Sequence, residues 1–254
     1  MTIKKSLQAL ALTLGMIVTG PALAAGDAPA APAQKWSFNG PFGTFDRAAL
    51  QRGFQVYDEV CAACHSMKYL AYRNLGDEGG PEFSEAAVKA IAASKTVEFI
   101  DDVGDVSERP GRPSDKFVSP FANDKAAAAS NGGVAPPDLS LMGKARVGGP
   151  DYIYALLTGY DEAPEGFEGA NYNTYFPGHN IAMAAPLFDE LIEYQDGTPA
   201  TVDQMARDVS HFLMWTAEPK MEDRKSLGVR VVLYLLLLAG LMFIVKRRVW
   251  ADVH

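Results

Sequence analysis

The stretch Cys61-Ala62-Ala63-Cys64-His65 contains both cysteines of this 254-residue chain, and its spacing decides what the fold is built around. A C-x-x-C-H run is typical of covalent haem attachment. On one helical turn, two thiols three positions apart face the same side, where each can add to a vinyl group at one porphyrin edge. The adjacent histidine then reaches the iron. The sequence therefore predicts one covalently bound haem c, attached through Cys61 and Cys64, with His65 as an axial ligand.

Two other kinds of site use the same cysteine spacing, namely half of a zinc site and a redox-active dithiol. A zinc site needs a second pair of ligands, whereas the chain has no further cysteine and only four well-separated histidines. A redox dithiol is expected beside a βαβ pattern, which this sequence lacks. The haem interpretation is therefore favoured over both.

The ligand on the other side of the iron decides the chemistry, because a methionine sulfur gives a high-potential electron carrier and an open position allows ligand binding. Seven of the nine methionines lie in apolar terminal segments, too near His65, or on or beside a predicted helix as core residues. Met142 and Met183 remain, and Met183 lies in a proline-bounded loop. His179 and His211 are rival ligands, although a partly exposed loop position and a helix-surface position explain them more simply.

Residues 1–24 have the pattern of a cleaved secretory signal. Two lysines precede an apolar run from 7 to 18, and Ala22-Leu23-Ala24 provides a cleavage site. The alternative, a retained anchor helix, needs about 20 apolar residues, and this run is shorter. We therefore expect export of the mature chain.

A second apolar segment lies near the C-terminus. Residues 226–246 are predicted to form a transmembrane helix, because a nineteen-residue apolar helix spans about 28 Å against a hydrocarbon core of about 30 Å. The run Lys246-Arg247-Arg248 follows, and positive charge stays on the cytoplasmic side, which disfavours the alternative of a buried helix. We expect a single-pass protein of the inner or intracytoplasmic membrane, with a periplasmic haem domain at 25–225 and a cytoplasmic tail at 247–254.

The exported part is strongly acidic. Between residues 26 and 225 there are 17 lysines and arginines against 30 aspartates and glutamates. This excess serves solubility, or it forms an acidic face that attracts a small basic partner. Its sign excludes nucleic acid as a partner.

Capping residues predict that the exported part is mainly α. Asp46 can cap a helix that runs through Leu50, Phe54, Tyr57 and Cys61, which lie on one apolar face. Further helices are predicted at about 85–94 after Ser84, at 124–130, from Pro150 to Gly159, and from a capping box at Thr201 to Pro219.

The remaining segments are predicted to be irregular. Residues 96–123 are rich in Asp, Pro, Gly and Ser, which predicts a long surface loop. Residues 218–225 are predicted to form a charged hinge before the membrane helix. No convincing strand pattern is present.

Taken together, the sequence resembles the cytochrome c1 family, the haem subunit of the cytochrome bc1 complex, in its bacterial form. The resemblance covers most of the exported domain and extends into the membrane helix. Beside the haem motif, the matching runs are Arg52-Gly-Phe-Gln-Val-Tyr57, Ser66-Met67, Ala71-Tyr-Arg-Asn-Leu75, Asn131-Gly-Gly, Pro136-Pro-Asp-Leu-Ser140, Leu156-Leu-Thr-Gly-Tyr160, Tyr175-Phe-Pro-Gly178 and Asp196-Gly-Thr-Pro-Ala200.

The resemblance implies a fold and a set of site residues. The fold is an enlarged class I c-type cytochrome domain with long loops, plus one C-terminal transmembrane helix. Met183 becomes the second axial ligand, and Arg146 pairs with a haem propionate. The residues implied to line the haem are Tyr57, Asn131, Pro136, Tyr152 and Phe176. One departure is Ala185, where the family often has a proline, and it affects the stiffness of the loop.

The resemblance also implies a role in electron transfer. The chain would accept one electron from the Rieske iron–sulfur protein and pass it to a soluble cytochrome c, within the quinol:cytochrome c oxidoreductase complex that contains cytochrome b and membrane lipid. It would have no catalytic chemistry of its own. The alternatives are a haem sensor or peroxidase with an open sixth position, and a subunit of a terminal oxidase or nitric oxide reductase.

Overall fold

The computed structural model describes residues 28–252, so the predicted signal peptide at 1–24 lies outside the described residues. The described part is mainly helical, as the sequence predicts. Its seven α-helices are α1 (Arg47–Glu59), α2 (Glu85–Ala93), α3 (Asp124–Ser130), α4 (Met142–Ala145), α5 (Pro150–Thr158), α6 (Val202–Ala217) and α7 (Met221–Val249). Two antiparallel pairs of strands are β1 (Thr96–Ile100) with β2 (Val106–Pro110), and β3 (Asn171–Tyr172) with β4 (Asn180–Ile181).

The predicted helix starts are confirmed by their capping contacts. Asp46 Oδ1 accepts from the backbone N–H of Ala48 at 2.9 Å and of Ala49 at 3.2 Å, which begins α1. Ser84 caps α2 and Thr201 caps α6 in the same way. The reciprocal half of the predicted capping box is absent, because the Gln204 side chain donates to Asp208 Oδ2 at 2.9 Å instead.

Helices α1 and α6 cross closely at Gly53 and form the centre of the core. A Cβ atom at Gly53 would lie 2.1 Å from the backbone carbonyl oxygen of Asp208, so only glycine permits this approach. Around the crossing, the aromatic side chains of Tyr57, Phe212 and Trp215 are almost completely buried. Helices α4 and α5 pack on α6 as well, so α6 is the common support of the domain.

A buried ion pair joins the same two helices. Asp208 on α6 is 1% exposed, and its carboxylate accepts from Arg52 Nε at 2.8 Å and from the Arg52 Nη2 at 3.1 Å. Arg52 also donates to Asp196 at 2.9 Å. These hydrogen bonds raise the pKa of Arg52, and they satisfy the charge that burial would otherwise leave unpaired.

The prediction of a loop without strands is wrong for part of residues 96–123. Strands β1 and β2 form a hairpin in which Glu98 faces Glu108 and Ile100 faces Val106. The turn is held by Asp101, whose Oδ1 accepts from the backbone N–H of Val103 and Asp105. Side chains on one face are exposed and those on the other only half-buried, so the sequence lacks the strong apolar alternation that predicts a strand.

Helix α7 is the one helix within residues 28–252 that is long and apolar enough to cross a membrane. It contains the predicted span 226–246 and has 29 residues. The predicted hinge at 218–225 is wrong in its second half, because the helix already begins at Met221. Glu222 in this first turn accepts from Arg47 at 2.7 and 2.9 Å and from the backbone N–H of Phe45 at 2.7 Å. The start of α7 is therefore attached to the domain.

Candidate haem-binding site

The two cysteines lie on a tight turn after α1. The prediction that this helix runs through Cys61 is wrong, because α1 ends at Glu59. Residues Cys61–Ala63 form one turn of 3-10 helix, and the carbonyl of Cys61 accepts from the backbone N–H of Cys64 at 3.1 Å and of His65 at 2.9 Å. Both thiols are free, with Cys61 half-buried and Cys64 exposed. Burial and the neighbouring Cys64 raise the pKa of the Cys61 thiol to about 12, so this thiol is protonated at neutral pH.

The His65 ring is oriented by a carbonyl far away in the sequence. His65 Nδ1 lies 2.8 Å from the carbonyl oxygen of Pro137, so Nδ1–H donates to it and Nε2 keeps its lone pair. Burial lowers the pKa of His65, which favours the neutral ring. This is the arrangement by which proteins fix the tautomer of a metal-binding histidine.

Tyr57 and residues 136–140 hold the backbone on which the His65 ring is carried. The buried Tyr57 hydroxyl donates to the carbonyl of His65 at 3.2 Å. The backbone N–H of Leu139 donates to the carbonyl of Ser66 at 2.9 Å, and Asp138 accepts from the Ser66 hydroxyl at 2.8 Å. The half-buried Pro136 thus lies in a segment that is fixed against the haem motif.

Asn131 ends α3, five residues before Pro136. Its side chain donates to the carbonyl of Ala127 at 2.7 Å, and the residue is half-exposed. Of the predicted lining residues, Tyr57 therefore forms a hydrogen bond with His65. Asn131 is connected to the motif only along the backbone that leads to Pro137.

Met183 lies in the loop that follows β4, and two hydrogen bonds fix this loop. The hydroxyl of Tyr160 donates to the carbonyl of Met183 at 3.0 Å, and burial raises the pKa of Tyr160 to about 12, so it remains a donor. Asn171 Nδ2 lies 3.2 Å from the carbonyl of Ile181. The sequence reasoning did not find Tyr160 as a supporting residue.

Asn173 is a second supporting residue that the sequence reasoning missed. It is fully buried, and its Oδ1 accepts from the backbone N–H of Tyr175 at 3.0 Å and of Phe176 at 3.2 Å. Its Nδ2 donates to the carbonyl of Leu156 on α5 at 2.8 Å. The predicted lining residue Phe176 is thereby connected to α5 through Asn173. Such long-range amide contacts have no sequence signal.

Arg146 and Tyr152 lie on this second side of the site. Within residues 28–252 the Arg146 side chain donates only to the carbonyl of Ala145, at 3.3 Å, and forms no ion pair with a carboxylate. Burial raises the pKa of the half-buried Tyr152, and the nearby Arg146 charge partly offsets this effect. The guanidinium is thus free to pair with a carboxylate from outside the chain.

The structure therefore gathers the predicted residues into two groups. Tyr57, Cys61, Cys64 and His65 form the group at the end of α1, and Tyr152, Phe176 and Met183 form the group around α5. No hydrogen bond within the described residues joins the two groups. They are held on a common frame, because α1 and α5 both pack against α6.

The two rival histidines differ in their surroundings. The prediction of a helix-surface position for His211 is wrong, because it is 4% exposed and packs against the rings of Trp36, Phe38 and Phe45. Its Nε2 accepts from the backbone N–H of Asp46 at 3.1 Å, and burial lowers its pKa to about 4. His179 is half-exposed in its loop, as predicted, and stacks on Tyr172.

These residues fit a haem. Two free thiols share one turn, an imidazole has its Nε2 available, and a thioether lies in a loop held by hydrogen bonds. An unpaired guanidinium and partly exposed aromatic side chains complete the set. No group of three or more His, Cys, Asp or Glu residues within 28–252 could hold a metal ion, which gives no support to a zinc site.

Residues 36–253 match the model of the Cytochrome C1 family. The protein named Cytochrome c1 from Rhodospirillum rubrum is 52% identical over 242 residues, which cover 87% of this chain and 87% of the relative. The chain belongs to the cytochrome c1 family. Membership implies a haem cofactor and a role in electron transport, and the mainly helical fold with one long apolar C-terminal helix agrees with an enlarged class I c-type cytochrome.

Two further cytochrome c1 relatives differ in how much of their length is matched. The mitochondrial Cytochrome c1, heme protein, of Saccharomyces cerevisiae is 50% identical over 228 residues, covering 88% of this chain and 73% of that protein. The Cytochrome b/c1 of Bradyrhizobium diazoefficiens is 52% identical over 267 residues. These residues cover 96% of this chain but 39% of that relative, so the chain spans about two fifths of its length.

Proposed function

We propose that this chain is a membrane-anchored monohaem c-type cytochrome that accepts one electron from the Rieske iron–sulfur protein and passes it to a soluble cytochrome c. It does so within a quinol:cytochrome c oxidoreductase complex that also contains cytochrome b. The observation that carries the proposal is the turn Cys61–His65 with the ring of His65 fixed by Pro137 at 2.8 Å. Relatives named after the cytochrome b-c1 complex support the assignment to that complex.

Each site residue has a defined part in this proposal. Cys61 and Cys64 would hold the haem covalently, and His65 Nε2 and the Met183 sulfur would bind its iron. Met183 is chosen over Met142 because the Met142 side chain packs against the hydrophobic core. A bound haem supplies the one-electron Fe(III)/Fe(II) couple.

The chain's own residues set the conditions for that couple. Tyr57, Pro136, Tyr152 and Phe176 exclude water from the site, which disfavours the extra charge of ferric iron and raises the potential. Asn131 fixes the chain that leads to Pro136, and the Arg146 guanidinium neutralises a propionate. No residue acts as a general acid, base or nucleophile in this role.

We further propose that α7 anchors the chain in the inner or intracytoplasmic membrane after removal of residues 1–24. The cluster Lys246-Arg247-Arg248 at the end of α7 supports a cytoplasmic C-terminus, because positive charges are retained on that side. The haem domain then lies in the periplasm, where a Rieske protein and a soluble cytochrome can reach it.

The covalent attachment is tested on the full chain purified from membranes. After denaturation and acid–acetone extraction, the wild-type polypeptide should keep its haem, as seen by its mass and by haem staining on a denaturing gel. Cys61→Ser with Cys64→Ser should lose it, and Met183→Leu should retain it as the matched control. Haem that is extracted from the wild type would refute the c-type assignment.

A further inference from the structure

A cavity opens beside the first turn of α7, where the exported domain meets the membrane helix. Its volume is about 480 Å³, within the usual range of small-ligand sites. Apolar side chains and cations line it together. The apolar ones are Trp36, Phe38, Met214 and Met221, and the cations are Lys144, Arg224 and Lys225.

The cavity has more positive than negative side chains, although the domain around it is acidic. Glu218 accepts from Lys144 at 2.6 Å and from Arg224 Nε at 2.5 Å, so one carboxylate serves two cations. Lys225 donates to backbone carbonyls, including that of Gly43 at 3.1 Å. The second lining carboxylate, Asp151, accepts from the Trp36 ring at 2.6 Å.

Two of these cations have donors to spare. Within residues 28–252 neither Nη atom of Arg224 has an acceptor, and the side chain is 61% exposed. Lys144 is 52% exposed and has two further N–H groups beyond the one used by Glu218. An anion at the rim could therefore accept hydrogen bonds from α4 and α7 at once.

The rim lies at the depth of lipid headgroups, a placement that rests on the proposed membrane anchoring. Arg224 is three residues before Leu227, where the apolar run of α7 begins. Three residues correspond to about 4.5 Å along a helix, whereas the headgroup region on each side of a bilayer is about 5–7 Å thick. A phosphate at this depth can reach the rim while its acyl chains remain in the hydrocarbon.

We propose that this cavity binds the phosphate of an anionic glycerophospholipid from the leaflet on the side of the haem domain. Lys144 and Arg224 donate charge-assisted hydrogen bonds to the phosphate oxygens. The acyl chains follow the exposed apolar start of α7. A free phosphate shares the charge but has no acyl chains to contact α7.

The test uses the full haem-containing chain in neutral detergent, with dihexanoyl phosphatidylglycerol as the probe and binding measured by calorimetry. Lys144→Gln and Arg224→Gln should each weaken binding about tenfold or more, since a hydrogen bond to a charged group is worth about 1.5–3 kcal/mol. Arg230→Gln is the matched control, because Arg230 is an exposed cation of α7 that does not line the cavity. It should change binding less than twofold.

Several outcomes would overturn the site. Unchanged binding in both cavity variants would do so, and equal weakening in Arg230→Gln would indicate general attraction to the basic surface. Inorganic phosphate that competes as strongly as the lipid would identify a free-anion site instead. The haem spectrum and the thermal midpoint of each variant verify that it is folded, and the two substitutions lie on different helices.

The short-chain lipid also allows the lipid site to be tested independently of the proposed membrane anchor. A chain that fails to fractionate with membranes would refute the anchor, whereas binding of the soluble lipid would still test the cavity. Phosphatidylglycerol that copurifies with the wild type from membranes, and is lost from Lys144→Gln, would be the matching result in the native setting.

Discussion

At the scale of single residues, the site depends on contacts between groups far apart in the chain. The motif alone predicts Cys61, Cys64 and His65 as haem-binding residues, because covalent attachment requires a fixed spacing. It does not identify Pro137, whose carbonyl orients the His65 ring across 72 positions. Asn173 is equally invisible in the sequence, since an asparagine in a loop has many explanations and its partners are set by the tertiary fold.

Replacement of the proposed second ligand should change the redox potential. Met183→Leu removes the thioether, so the midpoint potential should fall by on the order of 0.1–0.3 V, a fraction of the about 0.8 V that axial ligands span. The ferrous iron should also bind carbon monoxide. A redox titration and a carbon monoxide difference spectrum measure both effects.

The control for this experiment is Met142→Leu, which should leave potential and spectrum unchanged. An unchanged potential in Met183→Leu, together with a fall in Met142→Leu, would exchange the two assignments. A high-spin spectrum in the wild type would favour the sensor or peroxidase alternative.

His211 predicts a particular dependence of stability on pH. Burial lowers its pKa to about 4 in the folded chain, below the unfolded value of about 6.5. The unfolded state therefore binds more protons between these values, and the free energy of unfolding should fall as pH falls through this window. The full effect is about 3 kcal/mol by linkage.

His211→Gln should flatten this slope, because glutamine can still accept from the backbone N–H of Asp46 but does not titrate. Urea unfolding of the haem domain at pH 7, 6, 5 and 4 measures it. His179→Gln, at a half-exposed position, should keep the wild-type slope. Parallel curves for the wild type and His211→Gln would contradict the assignment of the slope to this ring.

At the scale of elements, the starts of α1, α2 and α6 were predictable and the hairpin was not. Asp46, Ser84 and Thr201 mark helix starts through local capping, which the sequence displays directly. The hairpin β1–β2 is held by its Asp101 turn and by cross-strand backbone hydrogen bonds. Its alternation of apolar and polar residues is weak, and the outward-facing pair Glu98 and Glu108 makes the segment look like a charged loop. Local composition therefore favoured a loop.

The crossing of α1 and α6 should not tolerate a methyl group. Gly53→Ala places Cβ 2.1 Å from the Asp208 carbonyl oxygen, which belongs to rigid backbone, so the helices must separate. We expect a loss of unfolding free energy of about 1–3 kcal/mol or more, measured by urea unfolding. Gly228→Ala, where no atom lies within 4 Å of the new Cβ, should cause no loss. A Gly53→Ala chain as stable as the wild type would mean that the helices lie farther apart.

At the scale of the whole molecule, the fold class and the long apolar C-terminal helix were predictable, but their junction was not. A run of charged residues before an apolar segment suggested a flexible hinge. The structure instead continues α7 up to Met221 and attaches its first turn to the domain through Arg47 and Glu222. Which charges pair across 175 positions is a property of the folded chain.

Two truncations of the mature chain test this junction. A chain ending at Ser226 keeps the attached turn, whereas one ending at Ala217 loses the buried Met221 and the contacts of Glu222. Both should be soluble, and the shorter should be less stable by about 2 kcal/mol or more, since burial of one methionine is worth about 1.5–3 kcal/mol. Fractionation and urea unfolding measure this. Equal stabilities would show that the turn contributes nothing to the domain.

The acidic excess of residues 26–225 should control the proposed reaction with a basic soluble cytochrome. The rate of electron transfer should fall as salt rises from 10 mM to 1 M, because the screening length shrinks from about 30 to 3 Å. Stopped-flow mixing measures it. Ferricyanide, an anionic oxidant, should show the opposite trend. A rate with the basic cytochrome that does not change with salt would show that electrostatic attraction does not drive docking.

The attachment of the first turn of α7 has a mechanical consequence. With α7 anchored in the bilayer as proposed, the contacts of Arg47, Glu222 and Lys225 would leave no flexible joint between the membrane and the haem domain. The haem would then stay at a constant distance from the membrane surface. Any change in the electron-transfer distance would then have to come from motion of the donor or of the acceptor, since this subunit would not move.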